Sequence, residues 1–198
     1  YWNDPRFREL LTMQRPQETL NTHAIAAMVR TVNGVGAGPV TGSAIERVVM
    51  TGDAIDNTQR NELMAFLALL AGGTVRPGSG APGYRGVQSA DWPDDIFWKP
   101  DGGPRADPFR DQLGFPTLPG LLEEAMAPFE SGGLAVPWLG CHGNHEEVCQ
   151  GVGLVTRGLA KSMSGSRKPI APPPGLDPAR AVEIFTANPE VFMTGPSV

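Results

Sequence analysis

Two short apolar runs about ninety residues apart each break off into a glycine-led polar motif, and no other feature constrains the fold as much. Val48-Val49-Met50 runs into Gly52-Asp53-Ala54-Ile55-Asp56, and Leu134-Ala135-Val136-Pro137-Trp138-Leu139 runs into Gly143-Asn144-His145-Glu146. Short apolar runs bounded by such punctuation read as buried strands. A helical pattern lies between them, so strand, turn, helix and later strand form a βαβ arrangement, which favours a right-handed crossover. In α/β sheets, ligands gather beyond the strand ends. The pattern predicts an α/β fold that brings the two polar motifs to neighbouring strand ends.

Other elements follow from periodicity. Ala24, Ile25, Met28 and Val29 repeat at helical spacing and predict a helix over 22–32, stopped by Gly34. Residues 33–44 read as a glycine-rich loop and 45–50 as the first strand. A helix over 59–71 carries Leu63, Phe66, Leu67 and Leu70 on one face and ends at Gly72-Gly73. Residues 73–117 read as a long loop insertion rich in Gly, Pro, Asp and Trp; such loops often cover sites. A third helix is predicted over 119–129. Short helices are predicted over 7–13 and over 178–185, the latter capped by Asp177. Residues 151–198 otherwise read as an irregular, proline-rich extension, with Pro172-Pro173-Pro174 a stiff spacer.

Composition narrows the partners. The 198 residues are 40% hydrophobic, enough for one domain with a real core. No apolar run approaches the ~20 residues of a membrane helix, so no membrane span is expected. The net charge is −5 and the basic residues are scattered, so no nucleic-acid partner is expected. The sequence opens at Tyr1 without a signal-peptide pattern, which reads as an internal portion of a longer product or a processed form. The missing parts of that longer chain then count among its partners. Cys141 and Cys149 flank the second motif; they read either as reduced thiols or as a short-loop disulfide, and the disulfide would place the protein outside the cytoplasm.

The two motifs hold groups suited to one kind of chemistry. A carboxylate can bridge two cations held ~3.5–4 Å apart, one oxygen on each, and Asp53, just past a strand and beside a glycine, suits that role. Asn144 can offer a neutral carbonyl oxygen to one metal. His145 follows it and can give a proton to a leaving oxygen, with Asp56 as the carboxylate that orients its ring and raises its pKa. Water on the metal would be the nucleophile.

Together the motifs resemble the calcineurin-like metallophosphoesterase superfamily, whose blocks run Asp-x-His, Gly-Asp-x-x-Asp, Gly-Asn-His-Asp/Glu, a His, and Gly-His-x-His. Gly52–Asp56 and Gly143–Glu146 match the two middle blocks. The stretches 51–63, 114–129 and 137–146 look like an actinobacterial subgroup that often carries export signals. The resemblance implies a sandwich of two sheets flanked by helices, here incomplete, with the whole of 1–198 a partial domain of that kind. It implies a metal-dependent phosphoester hydrolase that uses two divalent ions (manganese, iron or zinc) on a phosphoester small molecule. Asp53 and Asn144 would bind metal, His145 and Asp56 would form the acid pair, and an exported location is favoured over a cytoplasmic one.

The chain departs from the family in three places. The Asp-x-His block is absent, since His23 lies on a predicted helix. No histidine follows His145, so the last two blocks are absent as well. An Arg that follows the second Asp in related serine/threonine phosphatases is Asn57 here. The alternative is a non-catalytic remnant or binding component of the same fold.

Other residues have plainer readings. Glu146 reads as local hydrogen bonding and His142 as a strand-end residue. Gly34–Gly38 follows a helix and lacks the third fingerprint glycine, so it reads as a loop rather than a dinucleotide site. The acidic-aromatic stretch 91–98 reads as a loop whose aromatics pack on the domain, in preference to a substrate lid.

Overall fold

The computed structural model describes residues 16–197 apart from 57, 79, 81, 94, 152, 168, 170 and 171, and leaves the side chains of Cys149, Ser162 and Pro178 undescribed. In chain order the elements are α1 (Asn21–Val35), β1 (Val48–Met50), α2 (Arg60–Ala71), β2 (Gly73–Val75), α3 (Pro108–Leu113), α4 (Leu121–Met126), β3 (Phe129–Ser131), β4 (Trp138–Gly140), α5 (Arg157–Ser162) and α6 (Ala181–Ala187). Short 3-10 turns occur at Pro16–Leu20, Val148–Gly151, Pro178–Arg180 and Pro189–Thr194. The predicted helix over 7–13 and Asn57 lie outside the described residues. Helices and small sheets mix as an α/β class requires: β1 pairs with β4 in parallel, and β2 pairs with β3 antiparallel. No helix among the described residues is long and apolar enough to cross a membrane.

The chain divides into two compact units. One comprises Thr19–Tyr84 and Gly120–Leu154. Its core lies between α1, α2 and the strands. Ala26, Ala65, Leu69 and Val75 form one buried cluster, against which Ile25 and Phe129 pack. Val29, Phe66 and Leu70 form a second, which also receives Met50, Ala54, Leu134 and Trp138. Trp138 meets Phe66 edge to face, with ring centroids 6.0 Å apart. This second cluster therefore anchors both strands and the alanine inside the first polar motif.

The helices differ in detail from their periodic reading. α1 runs through Gly34 to Val35 and ends at Gly36, whose φ of 66° no longer fits a helix. It buries Ala26 and Val29 and leaves Met28 exposed, so the inward stripe is rotated from the predicted one. α2 starts with a capping box, in which the Gln59 N–H donates to Glu62 at 3.2 Å. It buries Ala65, Phe66, Leu69 and Leu70, while Leu63 faces solvent. The predicted helix over 119–129 is only α4, because Phe129–Ser131 pairs with β2. The loop predicted from 73 likewise begins as a strand. Both strands of the parallel pair are three residues long: β1 is the apolar run Val48–Met50 itself, short of the strand predicted over 45–50, and β4 takes only the end of the run 134–139 and adds Gly140.

The other unit comprises Tyr1–Glu18, Arg85–Pro119 and Val155–Val198. Asp107 is its fixed point. Fully buried, it caps α3 by accepting the Phe109 and Arg110 N–H groups at 3.0 and 3.2 Å, and its other oxygen accepts the Lys99 N–H at 2.7 Å. Phe97 and Trp98 are buried, and Trp98 donates its indole N–H to Pro116 at 3.1 Å. These aromatics of 91–98 thus take the packing role. The stretch read as irregular beyond 151 also carries α5, and the helix predicted over 178–185 is a 3-10 turn at Pro178–Arg180 that leads into α6, with Asp177 accepting the Ala179 N–H at 2.9 Å in that turn.

Candidate active site

The parallel pairing sets the site. Val48 lies opposite Trp138, Val49 opposite Leu139 and Met50 opposite Gly140. The Cys141 N–H continues the ladder by donating to the Met50 carbonyl at 2.9 Å. Both chains leave the sheet at the same end, and the same register brings Asp53 alongside Gly143. The two loops touch backbone to backbone. A Cβ on Gly52 would stand 2.7 Å from the Cα of Gly143, and Gly52 itself has a φ of 105°. A Cβ on Gly143 would run into the Asp53 carboxylate and backbone nitrogen. Only residues without side chains permit this approach.

Glu146 holds the loops together. Its carboxylate accepts the Ala54 N–H at 2.6 Å, the Gly143 N–H at 2.7 Å and the Asp53 N–H at 3.1 Å. Partial burial works to raise its pKa, but the backbone donors outweigh that and hold the carboxyl below its ordinary value. This is the local hydrogen-bonding role read from the sequence, extended to both motifs at once.

Asp53 adopts the left-handed region, with φ 54°, which Asp tolerates better than most residues. Its Oδ1 accepts the His145 N–H at 3.1 Å. The His145 ring nitrogen Nδ1 meets Asp56 Oδ1 at 2.5 Å. A carboxylate only accepts, so Nδ1 carries the proton and Nε2 is the nitrogen left to exchange one. The bond to Asp56 raises the His145 pKa above 6.5; partial burial opposes it, and the charges of Asp53, Asp56 and Glu146 add to the rise. The Asn144 Nδ2 donates to the Gln150 carbonyl at 2.9 Å. Gln150 in turn donates its Nε2 to Asp56 Oδ1 at 3.1 Å.

The structure thus gathers Asp53, Asp56, Asn144 and His145 into one bonded cluster. Asp53, Asn144 and Asp56 are exposed, and the His145 side chain is partly buried, so the cluster lies open at the surface. His142 stands apart, exposed and paired with Glu147 at 3.0 Å. The contribution of Gln150 had no signal in the sequence, because it depends on a left-handed backbone in a polar turn. Cys141 is an exposed free thiol, and Cys149's side chain is not described, so the export reading gains no support from a disulfide.

The donor set fits a divalent cation in kind. A carboxylate and a carboxamide oxygen suit manganese, iron or zinc alike. In number it is short: among the described residues no three His, Cys, Asp or Glu gather as a metal-holding group. Compared with family models, curated proteins and solved structures, the chain matches none.

Proposed function

We propose that this chain carries the central part of a phosphoester hydrolase site. The observation that supports the reading is the meeting of a histidine–carboxylate pair with an exposed Asp and Asn at the ends of two parallel strands. The fold we assign to the whole domain is a two-sheet sandwich flanked by helices, of which β1–β4 and β2–β3 would be parts. Asp53 and Asn144 would hold a divalent metal, in a two-metal site whose other ligands do not gather among the described residues. When bound, such ions supply Lewis-acid polarisation of a phosphoryl oxygen and an acidified water.

The chain's own residues do the rest. Asp53 holds the His145 backbone through its Oδ1. Asp56 fixes the imidazole tautomer and favours its protonated form, so that Nε2 can give a proton to the leaving oxygen of a small phosphoester.

The test is hydrolysis of an aryl phosphate by the protein in manganese. His145→Ala should slow turnover by about 10²–10⁴, the usual worth of general acid catalysis. Equal turnover in the variant would remove His145 from that role. A wild-type protein without manganese-dependent turnover would leave the non-catalytic component of the same fold as the better reading.

A further inference from the structure

We infer that Gln150 is a positioning residue for this site, setting the Asn144 carboxamide with its backbone and the Asp56 carboxylate with its side chain. The inference rests on the phosphoester reading and adds a residue to it.

The argument begins with Asn144, whose Nδ2 donates to the Gln150 carbonyl at 2.9 Å. A peptide carbonyl only accepts, so it selects the amino end of the carboxamide and leaves the oxygen end free for a cation. The Gln150 side chain acts on the other half of the site. Its Nε2 donates at 3.1 Å to Asp56 Oδ1, the oxygen that also meets His145 Nδ1. The Gln150 amide thus adds a donor to the very oxygen that orients the imidazole, and favours the carboxylate orientation that fixes the ring.

The backbone at this point is unusual. Gln150 has a φ of 52°, a region disfavoured for any residue with a Cβ, and Gly151 follows at 67°. A Cβ on Gly151 would stand 3.3 Å from the Asn144 Cβ, so the turn lies directly against that side chain. A glycine at 150 would form this turn with less strain. Glycine would lack only the carboxamide that reaches Asp56.

Gln150→Gly separates positioning from folding, because it keeps the carbonyl and relieves the backbone. Gln150→Glu keeps the shape and sets a second carboxylate against Asp56. Three readouts are needed: thermal midpoint, the ¹⁵N–¹H correlation of the His145 ring without metal or substrate, and kcat and KM for an aryl phosphate with manganese. Gln150→Gly should leave the midpoint equal or higher, shift the ring signals toward mixed tautomers, and lower kcat about 10–100-fold with KM nearly unchanged. Gln150→Glu should lose more. Ring signals and kcat equal to wild type in Gln150→Gly would overturn the inference, as would a lower midpoint with kcat intact. If the wild type hydrolyses nothing while Gln150→Gly still shifts the ring signals, the phosphoester reading fails and the positioning of His145 by Gln150 stands.

Discussion

The Cα of Gly143 occupies the space that a Cβ on Gly52 would need, 2.7 Å away, so the two polar motifs meet through their glycines. A Cβ on Gly143 would in turn run into the Asp53 carboxylate and backbone nitrogen, so Gly143→Ala should destabilise the protein by about 1–3 kcal/mol, the usual cost of forcing an extra carbon into packed surroundings. Gly34 provides the contrast. It lies near the end of α1 with nothing within 4 Å of an added Cβ, so Gly34→Ala should be neutral or stabilising by up to ~1 kcal/mol. Thermal midpoints of the two variants check this. A similar fall in both would mean that close approach is not what Gly143 provides.

Asn33 ties α1 to the turn that leads into β4. Its Nδ2 donates to the Gly133 carbonyl at 2.8 Å, and its Oδ1 accepts the Ala135 N–H at 2.8 Å. Asn33→Ala removes both bonds and should cost about 1–3 kcal/mol in denaturant unfolding. Asn33→Asp keeps the acceptor but loses the donor, so it should fall between wild type and alanine. An alanine variant with wild-type stability would show that water replaces both bonds without penalty.

The Glu146 clamp gives a pH dependence of known sign. Its folded pKa lies below the ordinary 4.5, because three backbone donors favour the charged form. Its contribution to stability is then fully present above pH 4.5 and is lost as the pH falls through the lower folded value. Glu146→Gln cannot follow that titration. The midpoint gap between wild type and Glu146→Gln should be constant near neutrality and shrink in acid. A gap that stays flat down to pH ~3 would show that charge on Glu146 does not hold the loops.

Much of this site was legible because its parts are local in sequence. A glycine, an acid and a second acid three residues on, just after an apolar run, imply a turn beyond a strand. The structure puts Gly52, Asp53 and Asp56 in such a turn. The pairing of Val48–Met50 with Trp138–Gly140 was legible only as an expectation from the βαβ order, and the second strand proved shorter than its apolar run. The inward stripe of α1 was misjudged because Met28 and Ala26 are equally compatible with helical spacing, and only tertiary packing decides which turns inward. β3 was hidden because the predicted helix ran on to Phe129, the first residue of that strand, and its strand state depends on β2, more than fifty residues away. Gln150 was invisible for a related reason. Its role comes from one backbone angle, and no residue type announces that angle unless it is glycine.

The left-handed backbone of Asp53 has a consequence for anyone altering this position. At a φ of 54°, alanine would change the chain's path as well as the charge, and a lost activity could be blamed on either. Asparagine is comfortable in the same conformation and has nearly the same outline. Asp53→Asn is thus the cleaner probe of ionic character here, and a conventional alanine scan would misattribute its result.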